Sequence, residues 1–344
     1  MAAARCHAKS RLMRDPVPVT AIESTLPPHV RETVLTVGTF DGVHRGHLDV
    51  LTRLAARGRE SGRTSVLVTF DPHPLELLKP TAAPALLTTR SEKLAAICTT
   101  GIDLVVMLPF TRALAEHSAE QFVDLVLRAR FRMAALLIGH DHGFGRGRAG
   151  DIETLRLLGH ARSFSVEVVA PVETEDGMPV SSTRIRRALA AGDLTSAAAG
   201  LGRRYAVSGR VVPGAQRGRA LGYRTLNVEP ESTRKLLPPD GVYAVEVDTP
   251  KGIFGGMLNL GGRPTFGDDR RVIEAHLFDA ADDFYGGVVQ VGFVARLRDT
   301  MRFDGPAALM AQLAQDERDA RLALTLSGEP GNLSGSTQFP PSTP

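Results

Sequence analysis

Two imidazoles three residues apart are the first sign of chemistry in this chain. Gly38-Thr39-Phe40-Asp41-Gly42-Val43-His44-Arg45-Gly46-His47 follows a short apolar run and precedes a helical stretch, so it stands at a strand-to-helix junction. Backbone N–H groups and the positive end of a helix dipole gather at such a junction, and both attract phosphate. At this spacing His44 and His47 can face one bound group. Two imidazoles beside a phosphate can donate hydrogen bonds to developing oxyanion charge, which is electrostatic catalysis without a covalent intermediate. Gly38 and Gly42 permit close approach and unusual dihedrals, and Gly46 removes a side chain that would crowd a nucleotide. The competing reading is a helix capped by Asp41 with two exposed histidines.

Three further stretches point the same way with less force. Thr69-Phe70-Asp71-Pro72-His73-Pro74 reads equally as a rigid turn or a binding loop. Gly139-His140-Asp141-His142-Gly143-Phe144-Gly145 places Asp141 after a strand, where it can grip a ribose or an amine, with Arg146 and Arg148 behind it for phosphate; a merely flexible connection stays open. Ser181, Ser182 and Thr183 with Arg186 open a helix, either as an ordinary N-cap or as a polyphosphate clamp. Later in the chain, Gly214, Gly218, Arg219 and Gly222 form a Gly-rich loop leading to Thr225 and Asn227. In an extended segment those two point to one side, and their oxygens are hard ligands suited to Mg²⁺ on ATP. Glu274, if it faces the same pocket, can take a proton from an attacking alcohol. Turn glycines of a small barrel explain much of this second pattern as well.

The elements that must hold these groups fall into two sets. Val34–Val37, Ser65–Phe70, Leu104–Leu108, Ala134–Ile138 and Val166–Ala170 read as buried strands alternating with helices at 46–60, 91–99, 118–130 and 151–161. That rhythm predicts a doubly wound parallel α/β sheet with its ligands at the carboxyl ends of the strands. Ser182–Leu189 and Leu194–Ala199 read as two short helices closing this domain. From Tyr205 the chain turns to strands at 205–212, 241–247, 252–259, 272–278 and 288–298, which suggests a small antiparallel barrel followed by one helix at 306–324. The expected organisation is a disordered basic leader over 1–20, one domain over 21–199, a second over 200–326, and a disordered tail over 327–344.

Composition narrows the function classes. The chain has 344 residues with 43% hydrophobic and 23% charged side chains, an ordinary globular mixture with enough length for two cores. Only Cys6 and Cys98 occur, which excludes a disulfide scaffold and a multi-cysteine zinc site and fits a reducing compartment. Apolar runs are too short to cross a bilayer, and no apolar signal segment follows the basic start. Arg5, Lys9, Arg11 and Arg14 carry the excess positive charge; without them the formal net charge falls from +3 to −1. With no Trp and four Tyr, base-stacking platforms are scarce as well. The expectation is a cytoplasmic protein, monomer or weak homo-oligomer, with neither nucleic acid nor membrane as partner.

Taken in order and spacing, the first four stretches resemble the adenylyltransferase module of the bifunctional riboflavin kinase/FMN adenylyltransferase family, the bacterial FAD synthetases. Residues 38–47 match its GxFDGxHxGH form of the nucleotidyltransferase HxGH signature at all seven fixed letters. The resemblance spans about residues 21–320 and implies FAD biosynthesis: riboflavin phosphorylated to FMN with ATP, then FMN adenylylated to FAD with release of pyrophosphate. It implies that His44 and His47 hold ATP phosphates in the transition state. Gly38, Phe40, Asp41, Gly42, Gly46 and Asp141 would line the nucleotide, and Ser181, Ser182, Thr183 and Arg186 would bind its pyrophosphate end. The later segment is similar to the riboflavin kinase module and its GRxLGFPTAN motif, with Gly214, Gly218, Arg219 and Gly222 at ATP, Thr225 and Asn227 as magnesium ligands, and Glu274 as the base on the ribityl 5′-hydroxyl.

Two departures stand out. His142-Gly143 replaces the family's usual Phe and polar residue, and Tyr223-Arg224-Thr225-Leu226-Asn227 replaces Phe-Pro-Thr-Ala-Asn. Loss of the proline frees backbone at the phosphate loop, so the expectation is intact adenylyl transfer with a weaker or altered kinase. The other readings are a flavin- or nucleotide-binding regulatory paralogue and a nucleotidyltransferase for another phosphorylated acceptor.

Overall fold

Side-chain alternation fixes which way each strand of the first unit faces. In the computed structural model, which describes residues 20–22, 25–141, 143–214, 223–263, 268–280 and 283–328, the chain forms two compact units that divide after Ser181. The first sheet contains β1 (Thr20–Ile22), β2 (Thr33–Val37), β3 (Thr64–Asp71), β4 (Leu104–Pro109), β5 (Met133–Gly139) and β6 (Ser165–Val169), all parallel, in the order β1-β4-β3-β2-β5-β6. Leu35 and Val37, Val66, Val68 and Phe70, and Leu104, Val106 and Leu108 pack on one face. The alternating neighbours Val34, Leu67, Val105 and Met107 pack on the other. Successive Cβ atoms point to opposite faces, so a continuous apolar run is what a sheet covered on both sides requires.

Helices supply the two covers. On one side lie α1 (Arg45–Ser61) with Leu51 and Leu54, and α3 (Arg90–Cys98) with Ile97. On the other lie Phe122–Arg128, a π-helical continuation of the single turn α5 (Ala119–Gln121), and α6 (Ile152–Arg162) with Leu155. The helix expected over 118–130 therefore begins on a Ser118 cap and widens at once into π geometry. Short α2 (Pro74–Leu78) and α4 (Arg112–Glu116) follow the ends of β3 and β4. The strand β1 is an element the apolar pattern did not announce.

The second unit begins with α7 (Ser182–Ala190) and α8 (Leu194–Leu201). By contact they group with the barrel, whereas the sequence reading sets the boundary at 199. One reason is visible at Gly192 between them, where the backbone lies close enough for a Cβ to sit 3.6 Å from Arg296 and 3.7 Å from Pro239. The barrel is closed in the order β10-β11-β8-β7-β12-β9, from β7 (Ala206–Val212), β8 (Thr225–Pro230), β9 (Gly241–Thr249), β10 (Gly252–Arg263), β11 (Asp268–Leu277) and β12 (Val288–Arg298). Tyr243, Val245, Val247, Leu258, Leu260, Ile273, Val291 and Phe293 are fully or almost fully buried within this unit, each worth ~1.5–3 kcal/mol of burial. The final helix α9 (Pro306–Leu326) packs Leu313, Ala320 and Leu324 on Ala244, Met257 and Phe278. The expected leader over 1–20 lies outside the described residues up to Thr20, and the expected tail lies outside them beyond Gly328.

One ion pair locks α9 to the barrel. Arg298 donates from Nε and Nη2 to the two oxygens of Asp316, at 2.7 and 2.6 Å, and Gln312 donates to the same carboxylate. The Asp316 side chain is 2% exposed. Replacing Arg298 by Met leaves that buried charge with a single neutral donor. The expected cost is about 3–5 kcal/mol, read as a lower urea midpoint for unfolding of the second unit.

Candidate functional site

The turn between β2 and α1 is built against backbone preference. Phe40, Gly42 and Val43 hold φ values of 46°, 86° and 39°, in a region that side-chain-bearing residues avoid. It is pinned instead by Asp41, 2% exposed, whose carboxylate accepts from Leu87 N and Thr88 N at 3.0 Å and from Thr88 Oγ1 at 3.1 Å. The Thr88 hydroxyl also accepts from Gly42 N at 3.0 Å. Asp41 thus shapes the loop and does not cap the helix. The cap is His44, in extended backbone, whose Nδ1 accepts from His47 N at 3.3 Å. With Nδ1 accepting, the proton of the neutral ring sits on Nε2, which becomes the donor. The His44 and His47 rings stack 3.6 Å apart at 15°, and Phe40 lies 4.6 Å from His47. A Cβ on Gly46 would stand 3.4 Å from the His44 ring, and one on Gly38 3.0 Å from the Phe40 ring. Both glycines therefore leave room for neighbouring rings of the same loop.

The remaining candidates of the first unit fall at the same strand ends. Asp141 is exposed in the turn after β5, which pairs with β2. His142 lies outside the described residues. Phe144 is buried beside Phe122, and Gly145, at φ 75°, passes so near Ala119 N that a Cβ would come within 2.7 Å. The loop at 144–150 is therefore pinned by a close backbone approach. His73 caps α2 through Nδ1, and Asp71 pairs with Arg90 at 3.1 Å; both are occupied in local structure. Ser181 ends the first unit, while Ser182, Thr183 and Arg186 belong to α7 at the start of the second.

In the barrel, strand register gathers what the sequence separates. Asn259, Glu274 and Asn227 lie opposite one another across β10, β11 and β8, and His276 lies opposite Thr225. Residues directly opposite share a face, so Thr225, Asn227, Glu274 and His276 form one patch. Thr225 Oγ1 donates to Glu274 Oε1 at 2.7 Å. A Cβ on Gly214 would collide with the Asn227 amide, so the backbone at 214, just beyond β7, lies over that buried side chain. Gly218, Arg219 and Gly222 lie outside the described residues. Beside Thr225, the departing residues have their own supports: the Arg224 carbonyl accepts from His276 Nδ1 at 2.8 Å, and the Tyr223 ring meets the His276 ring edge-on at 5.0 Å. Leu226 faces the other way, opposite Ala275.

Both halves match family models: FAD synthetase over residues 26–184 and riboflavin kinase over residues 201–324. The chain is 40% identical over 292 residues to the bifunctional riboflavin kinase/FMN adenylyltransferase of Escherichia coli K12, covering 84% of this chain and 91% of that protein. The chain belongs to that family. The Pseudomonas fluorescens member is likewise 40% identical, over 86% of this chain and 94% of its own length. A solved structure described as a macrolide-efflux protein from Streptococcus pneumoniae is similar at 29% identity with a TM-score of 0.76, over 88% of this chain and 98% of that one. Among the described residues no helix is long and apolar enough to cross a membrane.

As a riboflavin kinase/FMN adenylyltransferase, the chain has supporting residues that motif reading passed over: Leu87, Thr88 and Lys93 around the histidine turn, and the imidazole of His276 in the barrel. An N-cap signature, Thr89 with Glu92 three residues on, marks α3 in the sequence, but nothing local says that this cap lies against residues 39–42. Replacing Thr88 by Val keeps the shape and removes the hydroxyl shared by Asp41 and Gly42. The expected loss is about 1–3 kcal/mol, measured as a reduced unfolding midpoint of the first unit.

Proposed function

We propose that this chain makes FAD in two ATP-dependent steps, phosphorylating riboflavin to FMN in the barrel unit and adenylylating FMN in the α/β unit. The observation that supports the reading is that each unit holds a polar cluster whose chemistry suits phosphate: a stacked histidine pair at the mouth of α1 and a Thr–Asn–Glu patch on the barrel. Family membership supplies the acceptors. A regulatory binder is not favoured, because the relatives named above carry both activities in their names.

In the adenylyl step an FMN phosphate oxygen attacks the α-phosphorus of ATP, the bond from that phosphorus to the β-phosphate bridge breaks, and pyrophosphate leaves. His44 is suited to donate from Nε2 to a phosphate oxygen, with His47 stacked beside it, and both stabilise charge as it builds. Gly38, Phe40, Gly42 and Gly46 are assigned to the nucleotide, Asp41 holds the shape of their turn, and Asp141 is assigned to the adenosine. Ser181, Ser182, Thr183 and Arg186 are assigned to phosphate oxygens by their chemistry.

In the kinase step the ribityl 5′-hydroxyl gives its proton to Glu274 as its oxygen attacks the γ-phosphorus, and ADP leaves. Gly214, Gly218, Arg219 and Gly222 are assigned to ATP. Thr225 keeps its proton and donates a hydrogen bond to Glu274 Oε1, so its own lone pairs remain for a cation and Glu274 stays ionised as the base. With the Asn227 amide oxygen, this donor set fits the magnesium of Mg·ATP, which neutralises phosphate charge when bound. His276 holds the Arg224 carbonyl where the family pattern has proline. The chain is proposed to work in the cytoplasm as a monomer or weak homo-oligomer, without nucleic acid or membrane.

Incubation of the pure chain with ATP, magnesium and either riboflavin or FMN, followed by separation of the flavins, tests the reading directly. FMN and FAD are expected from riboflavin, and FAD from FMN; failure to form FAD from FMN overturns it. The same assay reads whether the altered 223–227 segment slows riboflavin turnover. Replacing His47 by Ala is expected to cut FAD formation by ~10²-fold or more while sparing riboflavin phosphorylation. Glu274→Gln should do the reverse, lowering the kinase rate by about 10²–10⁴-fold.

A further inference from the structure

Thr39 stands between β2 and the strained turn, and its carbonyl oxygen is held from two sides. Thr69 Oγ1 donates to it at 3.0 Å from β3, and Lys93 Nζ donates at 2.8 Å from α3. Lys93 is 8% exposed. Burying an ammonium is costly unless charge and hydrogen bonds compensate it. Desolvation accordingly pushes its pKa below the usual lysine range, against the opposing pull of Asp41, Asp71 and Glu76. A neutral donor already serves the Thr39 oxygen, so a hydrogen bond alone does not account for a buried cation here.

The position of Lys93 accounts for it better. Its own segment supplies the grip on Asp41 through Leu87 and Thr88 and ends with Lys93 on Thr39. The turn is thereby fastened on both flanks of Phe40, at φ 46°. Left-handed backbone at residues with a Cβ is sterically unfavourable and persists only where the surroundings over-determine it. A charge-assisted bond is roughly twice as strong as a neutral one, and the same charge balances the buried Asp41 carboxylate.

We propose that Lys93 is a positioning residue for adenylyl transfer, holding the Thr39 carbonyl so that the turn presents His44 and His47 to phosphate. The proposal rests on the adenylyltransferase reading above. Lys93→Met in the full chain keeps the length of the side chain and removes its charge and donor. The expected result is a fall in kcat for FAD formation of about 30-fold or more with KM for FMN and ATP within about threefold, since misplacement of a catalytic group acts on the reacting geometry. Riboflavin phosphorylation should be unchanged. A wild-type kcat, or a change confined to KM, overturns the proposal. Should Lys93→Met not fold, Thr69→Val weakens the same carbonyl anchor; a smaller kcat loss is expected, and none overturns it. Ring ¹⁵N signals of His44 and His47 give a readout independent of turnover: displaced signals in the folded variant are expected, unchanged ones overturn the proposal. If the wild-type chain makes no FAD, the functional reading fails by itself, while these signals still decide what Lys93 does.

Discussion

A carboxylate that cannot reach water organises the first unit. Asp41 is enclosed in a turn whose backbone takes left-handed values on either side of it, and two main-chain N–H groups and a hydroxyl that point at it make its charge tolerable, with Lys93 as a nearby opposite charge. Those donors come from residues 87–88, far along the chain, so the turn and the approach to α3 are stable only together. The histidine pair inherits its geometry from this arrangement. His44 can cap α1 with its ring because the turn delivers it in extended backbone, and His47 can stack on it because the helix begins there.

The barrel solves a different problem with a simpler device. Antiparallel register places opposite residues on one face, so a hydroxyl, an amide and a carboxylate from two strands become neighbours without any special loop. Inward-facing residues on the same strands fill the core, which makes the patch as rigid as the barrel beneath it. Strand β8, which carries Thr225 and Asn227, escaped the apolar reading because Leu226 and Val228 are its only aliphatic side chains on the inward face. A strand of six residues with only two aliphatic side chains on its inward face leaves little periodic signal.

The missing proline before Thr225 shows how local and tertiary restraint can substitute for one another. Proline would restrict the backbone through its own ring. Here an imidazole on the neighbouring strand holds the carbonyl of Arg224, and Tyr223 packs against that ring and the residues around α9. From the linear pattern alone, the substitution reads as a loosened loop. The side chains that restrain it are about fifty residues away in the chain.

By itself the sequence determined the class of both units and the identity of the chemical groups, because periodicity, glycine placement and the histidine spacing are local properties. The histidine turn is legible in its own residues, whereas Thr225, Asn227 and Glu274 are only suggestive locally and take their proposed roles from the family resemblance. What only the tertiary structure decided is how those groups are supported: Asp41 as an anchor for residues 87–88, His44 as the cap, Lys93 beneath Thr39, and His276 beneath Arg224. Each support joins residues tens of positions apart, and a contact of that kind leaves no spacing rule in the chain. It arises from the order in which strands stand beside one another, which the packing of the two cores selects.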